Sequence, residues 1–103
     1  MAKDPQGRRW NAMINNPLKY GYTRDVIIEK LHMFNPKYFC LTDEIGEHGT
    51  YHTHIYFCAK SPVRFSTIQN RFPIAHIEKA IKSSFANREY FTKTGKWSDT
   101  PKA

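Results

Sequence analysis

The stretch Tyr51-His52-Thr53-His54-Ile55-Tyr56-Phe57-Cys58-Ala59 decides how this chain folds. Aromatic and β-branched residues dominate it, so it reads as a strand. Side chains alternate along a strand, which places Ile55 and Phe57 on one face and His52 and His54 on the other. Upstream, Tyr38-Phe39-Cys40-Leu41-Thr42-Asp43-Glu44 has the same character. Gly46 and Gly49 lie between the two runs and supply a turn, so together they read as a hairpin with a longish loop. With Phe39 and Leu41 facing the core, Cys40, Thr42 and Glu44 face the other way, beside the histidine pair.

Outward from this hairpin the chain alternates strands and helices. Arg8 to Asn15 reads as a short strand that Asn15-Asn16-Pro17 breaks. Thr23 is a plausible N-cap for a helix carrying Ile27, Leu31 and Phe34 at i, i+4 and i+7. Asn35-Pro36 ends that helix, since proline cannot continue the hydrogen-bond ladder. Ser61-Pro62 ends the second hairpin strand. Phe65 to Phe72 reads as two helical turns, Ile74 to Ala80 as a strand, and Ser83 to Thr92 as a last helix that Gly95 stops.

The order is β-α-β-β-α-β-α, without internal repeat or linker. One domain over residues 1–103 is expected, with loose ends at 1–7 and 98–103 and no helicase domain. Hairpins and short connections favour an α+β fold, an antiparallel sheet covered by helices, of the ferredoxin or RNA-recognition type.

Composition narrows the function. The 103 residues are 40% hydrophobic and 15% aromatic, enough for a core; a domain of this size buries roughly two-thirds of its unfolded surface. Sixteen Lys and Arg against nine Asp and Glu give a formal net charge of +7, which suggests a polyanion as partner, most commonly nucleic acid. The basic residues are spread along the chain and form no single amphipathic helix, which disfavours a membrane surface. Cys40 and Cys58 sit in apolar strand-like runs and read as reduced thiols. The N-terminus has no apolar signal region and no stretch is long enough to cross a bilayer, so an intracellular protein is expected.

The His52-Thr53-His54 triplet carries the most chemistry. Two imidazoles side by side on one strand face can share a divalent cation, although the triplet alone fits two metal-free surface histidines equally well. Glu44, brought alongside by the hairpin, adds a carboxylate. That set, with open positions, suits Mn²⁺ or Mg²⁺ brought to a phosphate and tolerates Zn²⁺. A structural zinc site drawn from Cys40, His48, His52, His54 and Cys58 is disfavoured, because no C-x-x-C knuckle is present. On the last helix, Tyr90 and Lys93 stand at i, i+3 and share a face. A phenol near a metal-activated phosphodiester can act as nucleophile, and a nearby ammonium can hold the phosphate or help steer protons. Taken alone, Tyr-x-x-Lys fits an ordinary amphipathic helix.

In that order the motifs resemble the HUH-endonuclease domain of rolling-circle replication initiators (Rep) of circoviruses, geminiviruses, nanoviruses and related bacterial plasmids. Ala12-Met13-Ile14-Asn15-Asn16-Pro17 is similar to the family's first motif and His52-Thr53-His54-Ile55-Tyr56-Phe57 to its second. The acidic hairpin ligand matches within Asp43-Glu44-Ile45-Gly46-Glu47-His48-Gly49, and the third motif matches Tyr90, Lys93 and Gly95. Ala75-His76-Ile77-Glu78-Lys79-Ala80 looks like the strand before the nucleophile helix of circovirus-type Reps. The likeness spans Trp10 to about Trp97. Thr53 departs from it, standing where the family usually has a larger hydrophobe.

The resemblance implies a five-stranded antiparallel sheet and a sequence-specific nickase and ligase for single-stranded DNA. Glu44, His52 and His54 would hold Mn²⁺ or Mg²⁺, Tyr90 would form a 5′-phosphotyrosine link, and Lys93 would assist. It also implies a superfamily-three helicase in a longer parent protein, and a location in the host nucleus for a virus or the cytoplasm for a plasmid. For DNA contacts, Arg8, Arg9, Lys19, Arg64, Arg71, Lys79, Lys82 and Lys96 can track phosphates. Trp10, Tyr51, Tyr56 and Phe72 are candidates for base stacking, with Tyr56 and Phe72 reading rather as core. Asn15 and Asn16 fit either a turn or base contacts, and His76 joins the candidate DNA contacts. The rival readings are a non-enzymatic single-stranded nucleic-acid-binding module, whose aromatic signature is missing here, and a single-tyrosine HUH transposase.

Overall fold

The computed structural model describes residues 4–46, 49–92 and 96–99, the last four as backbone only. Its elements are β1 (Gln6–Asn15), a 3-10 turn (Pro17–Tyr20), α1 (Arg24–His32), β2 (Pro36–Ile45), β3 (Tyr51–Arg64), α2 (Phe65–Arg71), β4 (His76–Lys79), α3 (Ser84–Thr92) and β5 (Lys96–Asp99). The strands form one sheet in the order β4-β1-β3-β2-β5, and every neighbouring pair is antiparallel. The expected α+β architecture with five strands is what the chain adopts.

Strand alternation sorts the side chains into two buried layers. Trp10 and Ile14 of β1, Leu41 of β2, and Ile55 and Phe57 of β3 pack with Ile27 and Leu31 of α1 and Ile68 of α2. On the opposite face Cys40 and Tyr56 pack with Ala80 and with Phe91 of α3. Helix α3 therefore covers part of the histidine face, and the Tyr56 hydroxyl lies 2.7 Å from Ser84 Oγ. The two thiols are unbonded to each other, as the composition suggests.

Local signals act as their chemistry requires. Thr23 caps α1, its Oγ1 accepting from the Val26 N–H at 3.2 Å. Asn16 takes a left-handed conformation at φ 49°, common for asparagine, and Pro17 begins the 3-10 turn behind it.

Three expectations need correction. β3 does not stop at Ser61-Pro62 but runs to Arg64. Gly7 pairs with Val63 while Arg9 pairs with Cys58, so the four residues 59–62 oppose a single residue and Pro62 lies in an irregularity that asks no ladder bond of it. The start is not loose from Asp4 onward: Gln6 and Gly7 pair with β3, and Asp4 accepts from the backbone N–H and hydroxyl of Ser66 at 2.9 and 2.7 Å. Ser98 and Asp99 belong to β5, which pairs with β2 from Asp43↔Lys96 to Cys40↔Asp99. Backbone pairing builds this short edge strand, without the apolar alternation that would betray it. Gly95 lies outside the described residues.

Candidate metal and nucleic-acid site

Three successive pairs of the β2–β3 ladder build the site: Thr42↔His54, Asp43↔Thr53 and Glu44↔His52. Alternation puts Glu44, His52 and His54 on the α3 face and Asp43 and Thr53 on the α1 face. Both imidazoles converge on one carboxylate oxygen: Glu44 Oε1 lies 2.9 Å from His52 Nε2 and 2.7 Å from His54 Nε2. The rings meet edge to face with centroids 4.8 Å apart. One ligand atom from each residue lies within 4.8 Å of the others, the only such group of three among the described residues.

The donor set fits a divalent cation. His52 Nδ1 sits 3.3 Å from the Thr50 carbonyl; a proton held on that nitrogen would leave the Nε2 lone pair for a cation. The two Nε2 atoms lie at hydrogen-bonding distance from Glu44 Oε1; a divalent ion would take the place of the ring protons and draw on the same two nitrogens and the carboxylate. The Glu44 carboxyl is held below the usual carboxylate range by the hydrogen bond from His52, with burial opposing and His54 adding to the effect.

Behind the triad, Thr53 Oγ1 donates to Asp43 Oδ1 at 2.6 Å, and Arg24 of α1 forms an ion pair with Asp43 Oδ2. Burial pushes the Asp43 carboxyl up, but the bonds from Thr53, Arg24 and Tyr51 outweigh it and leave it below its ordinary value. Tyr51 is pushed up by its own burial and by Asp43.

Beside the triad a cleft of about 250 Å³ is lined by His54, Tyr90, Phe91, Asn11, Asn87, His76 and Glu78 among others. Tyr90 is 53% exposed while the next residue, Phe91, is buried at 3% and anchors the helix. Asn11 Nδ2 donates to Asn87 Oδ1 at 3.1 Å, and Asn87 Nδ2 donates to the Lys82 and Ser83 carbonyls at 3.1 and 2.9 Å. His76 and Glu78, both exposed, bond to each other at 2.8 Å.

The predicted DNA contacts divide. Asn15 is exposed and stands across from His52. Asn16 uses its N–H on the Tyr51 carbonyl at 2.7 Å, so its backbone builds the turn. Lys79 and Lys82 line a second cleft with Asn11 and Asn87 at the β4 edge, and Lys19 shares a groove with Asn16 and Tyr51. One stacking candidate is corrected by its burial. Trp10, 1% exposed, packs in the core with its Nε1 donating to the Gly7 carbonyl at 2.8 Å, so it offers no stacking surface. Tyr56 and Phe72 are core, as their apolar settings imply. Tyr51 lies on the α1 face, opposite the histidines. Arg8, Arg9 and Arg64 stand toward the far end of the β1–β3 ladder from the triad, and Arg71 ends α2 on the α1 side of the sheet. Lys93 and the Lys96 side chain lie outside the described residues.

Sequence reasoning missed Asn11, Asn87 and the Asp43–Thr53 pair as site residues. Asn11 shares strand parity with Met13 and Asn15, and Asn87 precedes Tyr90 by one helical turn, so spacing alone could have flagged both.

A sheet end presenting two imidazoles and a carboxylate, with a tyrosine-bearing helix beside it, defines a metal-competent α+β domain. The chain belongs to the viral replication protein family, whose Viral_Rep model matches residues 7–94. It is similar to the replication-associated protein of beak and feather disease virus, at 35% identity over 98 residues, covering 91% of this chain and 32% of that protein. The chain thus spans about a third of that relative's length.

Proposed function

We propose that this chain is the catalytic domain of a rolling-circle replication initiator, a metal-dependent enzyme that nicks and rejoins single-stranded origin DNA. The observation that carries the reading is the convergence of Glu44, His52 and His54 on one point, with His54 and Tyr90 lining a common cleft. When bound there, Mn²⁺ or Mg²⁺ supplies positive charge to the oxygens of the scissile phosphate. Phe91 and the Asn87 bonds hold α3 against the sheet, so that Tyr90 projects into the cleft instead of packing. The Tyr90 hydroxyl loses its proton and its oxygen attacks phosphorus. The P–O3′ bond breaks, a proton goes to the departing O3′, and a 5′-phosphotyrosine remains. Attack by a 3′-hydroxyl reverses the step. The phosphoester energy stays in the covalent link, so rejoining needs no nucleotide cofactor.

The net charge of +7 favours a polyanionic substrate by drawing phosphates to the surface. The cleft's mixture of amide, imidazole and carboxylate groups suits unpaired bases. A helicase is expected in the remainder of a longer parent protein.

The test is incubation with a randomised single-stranded DNA pool and Mn²⁺, followed by denaturing gel and peptide mass spectrometry. A DNA adduct on Tyr90, absent with EDTA, is expected. Tight binding of the same pool with no adduct would return the chain to the binding-module reading.

A further inference from the structure

We infer that Thr53 is a positioning residue for the metal triad, clamping the two ligand-bearing strands through Asp43 and tying them to α1. The inference rests on the proposed binding of a divalent cation by Glu44, His52 and His54. Thr53 is the residue that departs from the family pattern, a threonine where a larger hydrophobe usually stands.

Thr53 is 1% exposed, and a hydroxyl buried without a partner is costly. Its partner is the residue directly across the ladder: Thr53 Oγ1 donates to Asp43 Oδ1 at 2.6 Å. Asp43 in turn accepts from Arg24, in the first turn of α1. The pair sits between Glu44↔His52 and Thr42↔His54, which carry the three ligands on the other face. A charge-assisted bond thus joins β2 to β3 at the one cross-strand position lying between the ligand pairs.

The placement matters because the site lies close to the hairpin's open loop, where Gly46 and Thr50 close the ladder by a 2.8 Å bond. Metal affinity depends on ligands held in place before the cation arrives. A hydrophobe in the slot would fill the space but would leave the Asp43 oxygen without that donor. The hydroxyl fixes both the register and the spacing of the strands that carry Glu44 and the imidazoles.

Thr53→Val removes the donor at nearly constant shape, and Thr53→Ser keeps it. Mn²⁺ titrations by calorimetry, without DNA and well below each variant's melting temperature, read the effect directly. Thr53→Val should weaken Mn²⁺ binding about tenfold, the scale of supporting-residue losses at metal sites, and Thr53→Ser should restore most of it. Arg24→Gln, which cuts the tie to α1 without touching the hairpin, should weaken binding in the same direction.

A merely structural Thr53 would lower the melting temperature in EDTA and leave Mn²⁺ affinity unchanged, which overturns the inference. Equal losses in the Val and Ser variants overturn it as well. Failure of the unsubstituted protein to bind Mn²⁺ would overturn the metal-site reading together with this one, whereas binding that is equal in the unsubstituted and Val proteins removes this one alone.

Discussion

Asn11 and Asn87 join strand to helix, the Asn11 side-chain amide donating to the Asn87 oxygen at 3.1 Å one helical turn before Tyr90. Asn87 is 8% exposed, and its own amide donates to the carbonyls of Lys82 and Ser83 at the start of α3. A single side chain therefore closes the first turn of the helix and sets its distance from the sheet.

Replacing Asn87 by Ala should remove these bonds and lower stability by about 1–3 kcal/mol. Misplacing a nucleophile by an ångström can cost about a hundredfold, so strand cleavage by Asn87→Ala should fall at least tenfold with DNA affinity nearly unchanged. Urea melts together with single-turnover nicking and filter binding check this. A variant that melts early but cleaves at the original rate would show that the bond stabilises α3 without positioning Tyr90.

Tyr90→Phe should abolish the covalent adduct. The hydroxyl's parent side chain is 53% exposed, and surface changes of this kind are usually worth no more than about 0.5 kcal/mol. Melting temperature and DNA affinity should therefore match the unsubstituted protein while the adduct band disappears. Persistence of the band would move the nucleophile to another residue.

The sequence made part of this legible, for a definite physical reason. Strand parity needs only alternation, so the sequence alone places Glu44, His52 and His54 on one face. The same rule also shows what Tyr51 does: it shares the parity of Thr53 and belongs to the α1 face, a step the aromatic character of the residue obscured. Trp10 reads as a stacking group or as core on composition alone; only its partners decide, and they enclose it. The path through Pro62 depends on an irregular register that local propensity does not encode. The Thr53–Asp43 bond was hidden because both residues look like departures from an apolar layer until they are seen to satisfy each other.

Trp10 supplies a prediction of its own. Trp10→Ala should cost about 3–5 kcal/mol, the range for emptying a large aromatic site, which is a large share of a small domain's stability. Trp10→Phe should keep the domain folded and leave single-stranded DNA affinity unaltered at fixed salt. A drop in affinity for the folded Phe variant would restore a DNA contact at this position.

Metal linkage can be read without any DNA. A ligand that binds only the folded state at a hundred times its Kd stabilises by about 2.7 kcal/mol, so Mn²⁺ should raise the melting temperature of the unsubstituted protein and EDTA should reverse the rise. His52→Ala removes one imidazole and the group that most lowers the Glu44 carboxyl. In that variant the Mn²⁺-dependent rise should vanish. An unchanged rise would place the cation elsewhere.

The acid limb of stability should report the N-terminal strap. The hydroxyl and backbone N–H of Ser66 hold the Asp4 carboxyl below its ordinary value, with Arg64 contributing. A carboxyl with a lowered folded pKa adds stability that is complete above the unfolded value near 4 and is lost as pH falls through the folded one. Asn at this position keeps one side-chain oxygen that can accept from Ser66 but cannot titrate. In EDTA, Asp4→Asn should therefore melt earlier than the unsubstituted protein at neutral pH, and the two urea midpoints should converge as the solution is acidified below about pH 4. A constant offset across the whole range would mean that Asp4 acts through its shape alone and that its charge adds nothing to the junction with α2.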